Sequence, residues 1–147
     1  MPPILTSHKT ISDLLRYEVD PQFCREGGKI ANETAATVVY PAATHPVKAG
    51  TVAGTYQVVL SGDEAAATAF ILHTRPETIA ANTIGQRSYS VLARGPAVLT
   101  SAGMMTADYA GTAYVAGALK TAAEALPSVL VRDEVGLTIE PLNPTGM

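Results

Sequence analysis

Val47–Leu60, VKAGTVAGTYQVVL, is the stretch whose reading decides the fold class. Its apolar and β-branched residues come in two short strand-like runs, Val47–Ala53 and Tyr56–Leu60, with Gly50 and Gly54 where tight turns need a permissive backbone. The same texture continues downstream. Ala69–Thr74, Ser88–Ala93 and Ala97–Thr100 read as further strands, punctuated by Gly62-Asp63, Gly85 and Gly95-Pro96. Phe70-Ile71-Leu72 is a continuous apolar run of the kind that lies buried on both sides. Tyr89, Val91 and Ala93 alternate with Ser88, Ser90 and Leu92, which suits a strand with one wetter face. Thr34–Pro46, bracketed by Pro41 and Pro46, reads as a loop.

Beyond this series the period changes. Over about Ala113–Leu126, residues Val115, Leu119, Ala122 and Leu126 recur at spacings of four, three and four, which predicts a helix with one apolar face. Lys120 and Glu124 share another face, and Pro127 stops the helix. Val129-Leu130-Val131 and Leu137-Thr138-Ile139 read as two final strands. The expected class is α+β, mainly β: a small β-rich body with one late helix and an extended N-terminal arm.

The arm is the segment Asp13–Glu26, DLLRYEVDPQFCRE. Six of its fourteen residues are charged, yet Leu14, Leu15, Tyr17, Val19 and Phe23 stand among them as apolar anchors. A disordered tail lacks such anchors, and an ordinary core element shows them at one clean period. Asp20-Pro21 pushes the backbone towards extended structure, so a short helix at most is expected before it. The segment therefore reads as a docking arm, with the chain divided into residues 1–26 and a body of residues 27–147.

Bulk properties narrow the function classes. A chain of 147 residues suits one domain able to bury a core without a metal or disulfide staple. Its one cysteine, Cys24, excludes an intramolecular disulfide. A net charge of −3 without a Lys/Arg cluster argues against a nucleic-acid partner. No apolar run is long enough for a signal peptide or a membrane span, so a soluble product of the cytoplasm is expected. Charged residues make up only 16%, against about 25% in ordinary soluble domains. Alanine and threonine supply 41 of the 147 residues. A surface so low in charge suits packing against copies of itself or a larger body. Ala97–Ala123, with Asp108 and Lys120 as its only charges, is expected to lie at such an interface or in the core beneath it.

Catalytic constellations are not found. His8, His45 and His73 fall in the arm, the loop and an apolar strand, none with a second ligand at zinc-like spacing. Cys24 beside Arg25 has no histidine close in sequence and reads as inert packing. Asp63-Glu64 and Asp133-Glu134 read as acids on solvated corners, where nothing raises a pKa for acid–base work. Gly27-Gly28-Lys29 lacks the rest of a phosphate loop. Neither enzyme chemistry, a cofactor nor a metal is expected.

Taken in order, ISDLLRYEVDPQFCRE, VKAGTVAGT, GDEAAATAFIL, SYSVLARGPAVL and the alanine-rich helix resemble the lambda-type head decoration proteins of tailed bacteriophages, over about Asp13 to Arg132. The chain departs from that pattern at Cys24, at Gly27-Gly28-Lys29 and in the length of Asn32–Pro46. The resemblance implies a virion structural protein, made in the host cytoplasm. It further implies a homotrimer on the outer surface of the expanded head that stabilises the lattice of the major capsid protein. It also implies that the arm adds extended backbone to that partner through Leu14, Leu15, Tyr17, Glu18, Phe23, Arg25 and Glu26. The alternative left by the residues is a small barrel-like binding module of the lipoyl or antifreeze-like kind, for which Lys48 shows no exposed hairpin-tip setting.

Overall fold

The computed structural model describes residues 14–41, 44–72 and 75–133. Ten strands and one late helix make up most of it, as an α+β, mainly β chain. In order they are β1 (Leu15–Glu18), the one-turn helix α1 (Pro21–Cys24), β2 (Arg25–Asn32), β3 (Val38–Tyr40), β4 (His45–Ala49), β5 (Thr55–Val58), a 3₁₀ turn (Glu64–Ala66), β6 (Ala69–Ile71), β7 (Glu77–Ile79), β8 (Thr83–Leu92), β9 (Ala97–Thr100), α2 (Ala116–Glu124) and β10 (Val129–Arg132).

Five strands close a barrel in the order β2-β5-β4-β6-β8. Its pairs are antiparallel except β2 with β5. The register sets Val47 opposite Val58 and Ala69, and lines up His45, Ile71 and Val91 across three strands. Cross-strand partners point to the same side of a sheet, so these residues fill the interior with Ile30 and Tyr89. Val52–Gly54 turns the β4–β5 hairpin, and Gly54 takes the left-handed backbone, φ 81°, that glycine adopts freely.

A second core lies outside the barrel. Phe70, Leu72 and Leu92 join Leu14, Cys24, Leu99, Leu119, Ala123 and Val129 there, beneath α2 and a three-stranded sheet ordered β1-β9-β10. The run Phe70-Ile71-Leu72 thus serves both cores, Ile71 in the barrel and its two neighbours in the outer layer. Each such side chain, fully buried, contributes roughly 1.5–3 kcal/mol relative to exposure.

Several local expectations are corrected. Gly27-Gly28-Lys29, where the chain departs from the resembled pattern, forms the middle of β2, paired with β8. Gly28 lies so close under the Tyr56 ring that a Cβ there would collide with it, which is why this strand carries glycine and lacks an apolar alternation. The expected loop Thr34–Pro46 contains β3 and the start of β4, and β7 pairs with β3 in a small ribbon. The helix is shorter than the period predicted. Val115 precedes it in extended geometry and is 60% exposed, whereas Leu119, Ala122 and Leu126 are buried. Lys120 pairs with Asp133 at 2.6 Å rather than with Glu124. Glu64 is buried, not solvated: its carboxylate accepts from the Gly62 and Val115 N–H groups at 3.0 and 2.9 Å, capping the otherwise uncapped entry to α2. Those bonds, Val115's first, hold its carboxyl below the usual range. The expected strand Leu137-Thr138-Ile139, together with Glu134, His8 and His73, lies outside the described residues.

Candidate functional site

Within residues 14–26 the apolar anchors part into two sets. Leu14 and Cys24 are fully buried in the outer core, and Leu15 packs partly against it. Tyr17, Val19 and Phe23 stand 55–56% exposed. The segment is tied down along its length. β1 runs antiparallel to β9, with Tyr17 opposite Val98 and Glu18 opposite Ala97. Asp20 takes the extended geometry expected before Pro21, and its carboxylate then accepts from the Gln22 N–H at 3.0 Å, so Asp-Pro starts α1. The division drawn between residues 26 and 27 falls inside β2.

Glu18, Arg25 and Glu26 of the segment are paired within the chain. The Arg25 guanidinium grips the Glu18 carboxylate with two nitrogens, Nε donating to Oε2 at 3.0 Å. Arg94, from the turn after β8, is the organising residue of the exposed corner. Its guanidinium carbon lies 5.5 Å from the Phe23 ring centroid, Nη1 donates to the Phe23 carbonyl at 2.6 Å, and Nη2 pairs with Glu26. Glu26 accepts in addition from the Tyr56 hydroxyl at 3.0 Å. The Arg94 bond, then that of Tyr56, holds the Glu26 carboxyl below its usual range, while burial and Glu26 raise the Tyr56 phenol. The Phe23 ring is thereby held in place while more than half of it faces solvent.

Every predicted arm residue is placed: Leu14 and Leu15 inward, Tyr17 and Phe23 outward, Glu18 with Arg25, and Glu26 with Arg94. Arg94 itself was not singled out by sequence. It is 68 residues from Glu26, and nothing in RGPA marks it as a partner. β1 has one neighbour, β9, so among the described strands its other edge is open; the far edge of β10 is open likewise, beside Leu130 at 64% exposure.

The groups weighed for chemistry do not converge. Cys24 has no solvent access, and its sulfur lies 3.8 Å from the Pro96 carbonyl. His45 lies inside the barrel with Nε2 at 3.2 Å from the Pro41 carbonyl. A carbonyl only accepts, so Nε2 carries the proton and Nδ1 is a bare acceptor, without a partner among the described residues. Burial depresses this imidazole to about 4. No group of three His, Cys, Asp or Glu side chains able to hold a metal occurs among the described residues, and no described helix is long and apolar enough to cross a membrane. In comparisons with known proteins, no family model, curated protein or solved structure matches the chain.

Proposed function

We propose that the chain is a non-catalytic structural protein that decorates the outer surface of an expanded phage head as a homotrimer and stabilises the lattice of the major capsid protein. The observation that carries this reading is the exposure of Tyr17, Val19 and Phe23, three large apolar side chains kept open to solvent on a segment otherwise locked to the body. Aromatic groups held rigid before binding lose little entropy on contact, and such groups dominate interface energies. The open edge of β1 beside them fits strand addition to a partner sheet, in which main-chain hydrogen bonds supply affinity and alternate side chains supply selectivity. Residues 110–113 and 115–117, exposed and without a charge, fit the contact between protomers. Three copies on one shell would gain effective concentration, so each contact can be weak.

The second reading, a small barrel-like binding module, draws on the closed five-stranded barrel. Lys48 stands in β4 opposite Gln57 rather than at the hairpin tip where a carrier lysine would be offered, so that reading ranks behind. Mixing the protein with undecorated expanded heads and imaging the product tests the proposal. The expected result is density in clusters of three on the shell, with the Phe23 corner at the contact. Bare shells at saturating protein would overturn it.

A further inference from the structure

A second surface bears a different chemistry. An open pocket of about 540 Å³ is lined by Arg25, Arg75 and Arg87, together with Leu72 and with Ser88, Tyr89 and Ser90 of β8. Three of the ten cationic residues of this acidic chain line one pocket, and among the described residues no carboxylate lines it. Arg25 is occupied by Glu18. Arg75 and Arg87 are exposed and have no ion-pair partner among the described residues. The acid beside them, Glu77, is taken up by the Gln86 N–H at 2.7 Å, the Arg87 N–H at 3.3 Å and the Tyr89 hydroxyl at 2.9 Å.

A neighbouring groove of about 570 Å³ shares Ser88 as a lining residue. Gly27, Gly28 and Gly85 lie along this groove, and the exposed Val52 and Ile84 flank it. Gly27 sits directly across from Ser90, and a Cβ there would meet nothing within 4 Å. The strand thus tolerates a larger residue at 27, and glycine leaves the channel open. A guanidinium fork suits a carboxylate bidentately, whereas an extended channel with apolar rims suits a backbone with alternate apolar side chains.

We propose that the arginine pocket and the glycine-lined groove together form a binding site for an extended acidic–apolar peptide segment of a partner protein, its carboxylates between Arg75 and Arg87 and its apolar side chains against Val52 and Ile84. The site is distinct from the Phe23 corner, and it rests on the interaction reading only in taking the ligand to be a protein segment.

The test uses the intact protein and a fluorescent, acetylated and amidated hexapeptide of alternating Glu and Val, followed by anisotropy at fixed ionic strength. Wild type should bind it saturably and should not bind the Gln–Val counterpart. The double variant Arg75→Gln/Arg87→Gln, with unchanged melting, should bind roughly ten- to a hundredfold more weakly, the loss of charge-assisted hydrogen bonds. Gly27→Val keeps every charge and should weaken the peptide while leaving the fold intact. Inorganic phosphate should not displace the peptide. No saturable binding, equal binding by the double variant, equal binding by Gly27→Val, or displacement by phosphate would each overturn the proposal, the last by making this a small-anion site. No capsid is used, so this result and the capsid result fail independently.

Discussion

Leu14 and Cys24, with no solvent access, and Tyr17, Val19 and Phe23, more than half exposed, belong to one short segment and to two different jobs. The first pair closes the outer core between the barrel and the β1-β9-β10 sheet. The second set is exposed to solvent, and its Phe23 is steadied by Arg94. Apolar side chains in a charged segment are therefore not one signal. Some anchor the segment to its own body, and the rest are offered to something else. Removing residues 1–26 would open the core as well as remove the exposed corner, so the two jobs are separated only by single substitutions.

The largest effect should come from the inward set. Leu14→Ala empties a fully buried site and should cost roughly 3 kcal/mol in denaturant unfolding. An effect below about 1 kcal/mol would mean that the segment is not part of the core, and the comparison would fail. Next comes acid, which distinguishes the barrel from the corner. His45 is held neutral by burial at about 4, against 6.5 in the unfolded chain. A depressed imidazole favours folding fully above pH 6.5, and that contribution is lost as the pH falls from 6.5 towards 4, by about 3 kcal/mol at most. His45→Phe should flatten the stability profile across that window; a profile unchanged by the substitution would break the account. Glu26, whose carboxyl is lowered by Arg94 and Tyr56, loses its contribution only below its ordinary value of 4.5, so the corner should loosen after the barrel.

Smaller effects sharpen the outward set. Arg94→Ala releases Phe23 and Glu26 together and should lower the melting temperature slightly, because exposed ion pairs contribute about 1 kcal/mol or less. It should also broaden the Phe23 ring resonances, and unchanged ring dynamics would remove Arg94 as the residue that holds the corner. Phe23→Ser and Tyr17→Ser should leave stability within about 0.5 kcal/mol of wild type, the range of ordinary surface changes.

The pattern of strands was legible where glycines and apolar runs agree. Gly50 and Gly54 do mark the turn between β4 and β5, although β4 ends at Ala49 rather than Ala53, and Phe70-Ile71-Leu72 is buried throughout as the sequence reads it. Legibility failed where a tertiary contact replaces the local pattern. β2 lacks alternation because the Tyr56 ring covers Gly28, and Glu64 is buried because it caps a helix fifty residues on. In the candidate site, the anchors and the Glu18–Arg25 segment were visible in sequence. Which anchors face inward was not, since that depends on pairing with Leu99 and Ala97. Nor was Arg94 or the convergence of Arg75 and Arg87, which the barrel brings together from separate segments.

The most direct test is co-sedimentation of wild type and Tyr17→Ser/Phe23→Ser with undecorated expanded phage heads, at matched folding. The account predicts that wild type pellets with the heads while the double variant, equally stable, stays in the supernatant. Equal pelleting of the two proteins would contradict the claim that this corner is the face presented to the shell.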